Sequence, residues 1–533
     1  TMDIPLPRAT ANQNRKQTSM ARQLSRLDPN SLPAPVDVSN NSAGLAAVHA
    51  VVDAGPYSAT WESLRAYEPP RWYIDAKVGI FIHWGAYSVP AFGSEWYSRN
   101  MYLEASPEFT HHRETFGEHR DFGYKDFLPH FTMHDFDPHE WAALFKRAGA
   151  QFVVPVAEHH DGFAMYETQR SRWNAAVIGP RRDVFGDLTD AVDQAWMVPG
   201  ASSHRAEHWF FMNGGSRFDS DVRDPAYADF YGPAQREEVA PNERFLEDWL
   251  LRTVELIDKY RPQLLWFDWW IEQPAFEPYR LLLAAYYYNR AAQWGRGVVI
   301  NYKWDAFVEG SAVYDIERGT MGGIRPAVWQ NDTAVSKTSW SWVEGHEYKT
   351  VDALVAELAD TVSKNGLLLL NVGPESDGTI PDPERRILEG LGDWLTRNGE
   401  GIYGTRPWRI AQEGPTQPVV GSFVDAASPA YLSSDIRFTT RHDVTGDYVY
   451  AILLAEPDDG IARVRALGTG SGLLDRAIRD VSVLGGTEPV MWEQTSSELS
   501  VTLPPRSPLA GGPVVKLFLE DALVPPRQAF LHA

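Results

Sequence analysis

Three observations in the sequence predict an α/β architecture, a (β/α)8-like TIM barrel followed by a C-terminal β-sandwich. Through the middle of the chain an amphipathic helix, a short loop and an apolar strand recur as a unit. Polar residues close several of these strands at their C-terminal ends, where a barrel assembles its binding face. Beyond Trp408 the hydrophobic period falls to two, the spacing of short half-buried strands. An open doubly wound sheet would gather its polar residues at one switch point rather than around a ring, which favours the barrel.

Residues 1–60 are rich in Pro, Asn, Ser and Ala, with only Gly44–Val52 showing a short periodic stretch, and are expected to form an N-terminal extension. The barrel is expected over 61–408. Val78, Ile80, Phe81 and Ile82 make a strand buried on both faces. Asp137-Pro138-His139-Glu140 supplies a cap, a first-turn proline and a reciprocal acid for a helix that carries Trp141, Leu144, Phe145 and Ala148 and stops at Gly149. The strand Phe152–Val156 follows. The pattern recurs as helix 242–260 before strand Leu264–Phe267, and as helix 350–364 before strand Leu367–Val372. Within 409–533, strands are expected at 447–455, 481–484, 498–503 and 514–519, which is the predicted sandwich.

Composition narrows the chemistry. With 49 basic against 71 acidic residues the net charge is −22, and no basic block is present to follow a phosphate backbone, so nucleic acid and anionic membranes are poor partners. The chain has no cysteine, which rules out disulfides and thiolate metal sites. No apolar run approaches the roughly 20 residues of a membrane helix. The first residues lack an apolar signal segment, but residue 1 is Thr, so a cytoplasmic protein and a secreted one with its leader removed both fit. The 20 Trp, 22 Tyr and 24 Phe suit a carbohydrate ligand, whose flat C–H faces stack on aromatic rings.

The most informative block is Val78–Tyr97, VGIFIHWGAYSVPAFGSEWY, where an apolar strand ends in a cluster that holds His83, Trp84, Glu95, Trp96 and Tyr97. EHHDGFAMY (Glu158–Tyr166) places His159, His160 and Asp161 after a second strand, and LLWFDWW (Leu264–Trp270) places Asp268 after a third. An aspartate between Phe267 and Trp269 is partly desolvated, as a carboxylate nucleophile is, although a helix-capping Asp would look the same. The histidines could be metal ligands or have a structural role.

These blocks, with DTVSKNGLLLLNVGPESDGTIP (Asp360–Pro381), closely resemble the α-L-fucosidases of glycoside hydrolase family 29, in the same order from Trp72 to Trp408. The resemblance implies a retaining glycosidase with Asp268 as nucleophile. It implies that His83, His159 and His160 bind fucose hydroxyls without a metal or other cofactor. It also puts Glu95 and Trp96 of the Ser-Glu-Trp-Tyr motif against the sugar. Trp269 stands where the family more often has Gly and would narrow the sugar site. Arg318 in YDIERG matches an arginine near the sugar, with a surface ion pair as the alternative. Trp84 is either a wall of the site or core. Glu207 and His208 lie where the family has sugar-facing groups, and Asn371 is expected to fix backbone rather than touch substrate.

Many members carry Trp-Glu ahead of Ser-Trp-Gly-Tyr, with the Glu as proton donor. Here the stretch is VWQNDTAVSKTSWSWVEG, with Gln330 at that position, and glutamine has no titratable proton. Glu317 is the favoured replacement, ahead of Asp332, Glu95, Glu344 and Glu207. The expected substrate is a fucosylated oligosaccharide or glycoconjugate. Two alternatives are a fucose-binding relative that has lost its acid and a hydrolase of α-L-galactosides, which differ from fucosides by a hydroxyl on C6.

Overall fold

Eight parallel strands close into a barrel in chain order: β1 (Val78–Ile82), β2 (Phe152–Glu158), β3 (Val198–Ser203), β4 (Leu264–Phe267), β5 (Val299–Tyr302), β6 (Val313–Glu317), β7 (Trp329–Ala334) and β8 (Gly366–Val372). This is a computed structural model, and it describes residues 24–237, 239–425, 430–505 and 510–519. Closure is made by β8 against β1, with Val78 opposite Leu368 and Ile82 opposite Val372. β1, β2, β4 and β8 are buried along their whole length, as their apolar composition requires.

Helix α1 (Ser42–Ala54) precedes the barrel. Within it run α2 (Pro138–Arg147), α3 (Val184–Gln194), α4 (Glu243–Tyr260), α5 (Glu277–Trp294), α6 (Val351–Ser363) and α7 (Asp382–Asn398). The expected caps form: Asp137 accepts from the backbone of His139 and Glu140, Asn242 from Phe245, and Thr350 from Ala353. Glu140 does not reach back to the cap. Its carboxylate pairs with both terminal nitrogens of Arg385 on α7, at 2.5 and 2.9 Å, a bidentate contact that a reciprocal cap bond would forfeit. The periodic stretch in the N-terminal extension is α1, which buries Val48 and Val52 against α4 and α5. Asn289 of α5 ties down the chain that follows, donating to the Tyr57 carbonyl and accepting its N–H, both at 2.9 Å.

Among the described residues no helix separates β5 from β6 or β6 from β7. These three strands also carry polar residues that meet inside the barrel. Tyr73 donates to Gln330 Oε1 and accepts from Asn301, both at 3.0 Å, while Asp315 accepts from Trp266 Nε1 at 2.5 Å. A barrel interior filled this way has hydrogen-bonded polar contacts where most have aliphatic layers.

The C-terminal region is antiparallel. A five-stranded sheet in the order β13-β16-β11-β10-β9 faces a three-stranded one in the order β12-β15-β14. The strands are β9 (Arg406–Glu413), β10 (Ile436–Asp443), β11 (Gly446–Leu453), β12 (Ile461–Val464), β13 (Ile478–Val483), β14 (Trp492–Gln494), β15 (Leu499–Thr502) and β16 (Val514–Leu519). Phe438, Val449, Leu453 and Leu517 from the first sheet and Val464, Leu499 and Val501 from the second form one core separate from that of the barrel. The two units meet at α6, where buried Arg437 of β10 donates to Asp360 Oδ1 at 2.7 Å and Lys364 holds Oδ2 at 2.7 Å. Strand β9 begins before the boundary expected at 408.

Candidate active site

The C-terminal ends of the barrel strands open into a cavity of about 580 Å³. Asp268, the residue after β4, lies in its wall. Its Oδ2 faces His204 Nδ1 at 2.9 Å and His160 Nε2 at 3.3 Å. Its Oδ1 accepts from the backbone N–H of Trp269 at 2.8 Å and lies 3.3 Å from Lys303 Nζ. Burial pushes the Asp268 carboxyl up, but the Lys303 ammonium and the histidine hydrogen bonds outweigh it and hold the pKa well below the usual carboxylate range.

Lys303 follows β5 and gathers acids from three strands. Its ammonium contacts Glu317 Oε2 at the end of β6 and lies 3.7 Å from Asp332 Oδ2 on β7. Glu317 and Asp332 are direct partners in the β6–β7 register. Neither carboxylate oxygen of Asp332 has a hydrogen bond, and burial followed by the neighbouring Asp315 raises its pKa well above normal. Asp315 is itself pushed up to about 7 by burial. One ammonium cannot balance four carboxylates in a low-dielectric space, so the deeper acids favour their protonated forms.

The opposite wall is histidine. His83, after β1, turns Nδ1 to Asn371 Oδ1 at 2.8 Å, and the same oxygen accepts the His83 backbone N–H at 3.0 Å. Asn371 on β8 thus fixes a ring and does not line the cavity. Burial first, and neighbouring imidazoles second, keep His83 and His159 neutral. His160 is the exception. Burial opposes its charge, but Glu207 Oε2 at 2.7 Å and Asp268 outweigh it and push it up to about 10. Neutral imidazoles offer one donor and one acceptor each, which matches sugar hydroxyls. Ligand atoms of His83, His159 and His204, and of His160, His204 and Asp268, also lie within 4.8 Å of one another, a spacing that could hold a metal ion.

Glu95, Trp96, Trp269 and Arg318 complete the walls with Trp340. Glu95 accepts from the Trp340 N–H at 3.1 Å. Arg318 stacks over the Trp340 ring at 4.6 Å and pairs with Asp425 at 3.1 Å, so it borders the cavity and makes an ion pair at once.

Three expected sugar contacts lie elsewhere. Trp84 points into the core, packing on Trp141 and Phe136 and donating to the Glu375 carbonyl at 2.8 Å. Glu207 and His208 sit in a 3-10 helix (Arg205–Trp209), not at a strand end. There Glu207 is 0% exposed behind His160, and His208 faces the His160 carbonyl at 2.8 Å. They orient His160 and do not reach the cavity. Gln330 does not line the cavity either: it lies beneath it, fully buried between Tyr73 and Asp315, so its missing proton takes nothing from the cavity wall. Glu317 is in that wall.

Among the residues of the site that went unrecognised in the sequence are the two partners of Asp268, His204 and Lys303. His204 follows β3, VPGASS, which has almost no aliphatic content to mark it as a strand. Lys303 follows the four-residue β5, VINY, too short to stand out.

Comparison with known proteins identifies the family and the fold. The α-L-fucosidase family model matches residues 44–400, and the α-L-fucosidase C-terminal domain model matches 430–517. Plasma α-L-fucosidase of Rattus norvegicus is 32% identical over 468 residues, covering 86% of this chain and 93% of that protein. The human plasma enzyme is 31% identical over 443 residues, covering 82% and 86%. Among solved structures, the Thermotoga maritima α-fucosidase in complex with a mechanism-based inhibitor superposes with a TM-score of 0.69 at 29% identity, over 87% of this chain and all of that one. A family model spanning most of the chain, relatives matched over nearly their full length and a shared two-domain fold place this glycoside hydrolase in the α-L-fucosidase family.

Proposed function

We propose that the protein is a retaining α-L-fucosidase that removes terminal α-L-fucosyl residues from oligosaccharides or glycoconjugates, with Asp268 as nucleophile and Glu317 as acid/base. The observation that carries this is the Lys303 bridge. One ammonium touches both carboxylates, so their facing oxygens lie within two ion-pair lengths of each other. That is short of the roughly 6.5 Å at which inverting pairs begin and suits the ~5 to 5.5 Å of retaining pairs.

In the first step Asp268 attacks the anomeric carbon, the glycosidic C–O bond breaks, and the Glu317 proton goes to the departing oxygen. In the second, Glu317 takes a proton from water as that water attacks the same carbon and releases Asp268. Two inversions restore the α configuration. The cations around Asp268 keep it ionised before attack, and the neutral His83 and His159 serve the sugar hydroxyls. Arg318, Trp96, Trp269 and Glu95 frame the ring.

An NMR time course on an aryl α-L-fucoside tests the stereochemistry, and α-L-fucose should be the first anomer to appear. Trapping with a fluorinated fucoside should label the peptide that carries Asp268. β-Fucose appearing first, or label on another carboxylate, would overturn the assignment.

A further inference from the structure

We propose that Trp304 and Phe423 form the aglycone subsite of this protein, a pair of aromatic platforms for a pyranose ring that leaves past Glu317. This rests on the assignment of Glu317 as the acid and adds the class of leaving group.

Both side chains line the cavity, yet both are largely exposed, Trp304 at 54% and Phe423 at 59%. Both also adopt left-handed backbone conformations that large residues rarely take, with φ of 57° and 56°. Such conformations cost free energy and persist only where surrounding bonds enforce them. At Phe423 those bonds run to the acid itself. The Phe423 N–H donates to the Glu317 carbonyl at 2.9 Å, and the N–H groups of Val424 and Asp425 donate to the Arg318 carbonyl at 2.9 and 3.1 Å. Asp425 then locks the segment through Arg318 and Lys349, at 3.1 and 2.8 Å. The segment belongs to the connection between β9 and β10, so the C-terminal unit delivers an aromatic ring to the barrel's catalytic face. Trp304 reaches the same place from the other direction, one residue beyond Lys303, whose ammonium contacts Glu317.

A retaining acid sits on the leaving-group side of the bond it cleaves. Two exposed rings beside it therefore meet the aglycone and not the fucose, and a flat, C–H-rich sugar face is what such rings bind.

The test compares kcat/KM on a fucosyl disaccharide with kcat/KM on α-L-fucosyl fluoride, whose leaving group is a single atom. Trp304→Ala and Phe423→Ala should each lose about tenfold more on the disaccharide than on the fluoride. Ala is as strained as Phe at this φ, so the backbone term is common to both. Phe423→Tyr, which keeps the ring, should restore the disaccharide rate, and the inhibition constant of free L-fucose should report an intact fucose pocket. Equal losses on the two substrates, or no loss on either, overturn the subsite. A wild type inactive on the fluoride overturns the fucosidase assignment and the subsite with it, whereas an active wild type with unsplit variants overturns the subsite alone.

Discussion

The two arcs of the barrel rim solve different problems. From β1 to β3 the strand ends carry His83, His159, His160 and His204, three of them held neutral and the fourth balanced by Glu207. From β4 to β7 they carry Asp268, Lys303, Glu317 and Asp332, a cluster with more acids than its cation can balance. Recognising hydroxyl groups needs buried donors and acceptors without net charge. Cleaving a glycosidic bond needs charge that can move, and crowding acids around one cation makes their protons mobile. His204 and His160 join the arcs by holding Asp268 from the recognition side.

The sharpest way to break this contrast is to empty the reactive arc. Asp268→Ala should lower kcat by on the order of 10⁴ while leaving the fold intact, because the site is built from the ends of several different strands. Added azide should rescue it and yield β-fucosyl azide. Wild-type turnover in this variant would mean that the nucleophile lies elsewhere.

Glu317→Gln should come next. Loss of a general acid costs roughly 10²- to 10⁴-fold, and it should fall mainly on natural fucosides, whose leaving groups need a proton, and much less on the first step with activated aryl fucosides. The basic limb of the pH profile should flatten. If both substrates lose equally, Glu317 positions the substrate, and the same comparison moves to Asp332.

Lys303→Met tests the charge balance. Lys303 depresses the Asp268 pKa, so its removal raises it, and Asp268 then becomes ionised only at higher pH. The acid limb of kcat/KM, which requires ionised Asp268, should move upward by about 1 to 3 units. An unmoved limb would show that His160 and His204 suffice.

Chelation should have the smallest effect. The recognition arc is assigned to hydroxyls, so prolonged treatment with a chelator should leave activity unchanged. Loss on chelation with recovery on adding back a divalent ion would make His83, His159 and His204 metal ligands, as their spacing allows.

Legibility followed the same division. Strands β1, β2, β4 and β8 are apolar along most of their length, and each announces the polar residues at or just beyond its C-terminal end, which is how His83, His159, His160, Asp268 and Asn371 were found. Strands β5, β6 and β7 carry polar residues into the barrel interior and β3 has almost no aliphatic content, so VPGASS, VINY, VYDIE and WQNDTA do not stand out in the sequence as strands. Glu317 was reached through its neighbour Arg318 and through a distance along the chain from Asp268 that suits the next strand end, not through the pattern of its own strand. In the sandwich, β9, β10, β12 and β14 escaped notice, because charged residues such as Arg409, Arg437, Arg463 and Glu493 interrupt their alternation.

By itself, then, the sequence determined the barrel and sandwich classes, the nucleophile candidate and three of the four histidines of the wall, because local hydrophobic period and strand-end polarity are properties of contiguous residues. Only the tertiary structure decided that Gln330 lies beneath the cavity, that Glu207 and His208 stand behind His160, and that Lys303 joins Asp268 to Glu317. Those facts depend on which of two opposite directions a side chain takes from a barrel strand and on what the neighbouring strand places beside it. Residues as far apart in the chain as Tyr73 and Gln330 settle that together, and no local pattern encodes it.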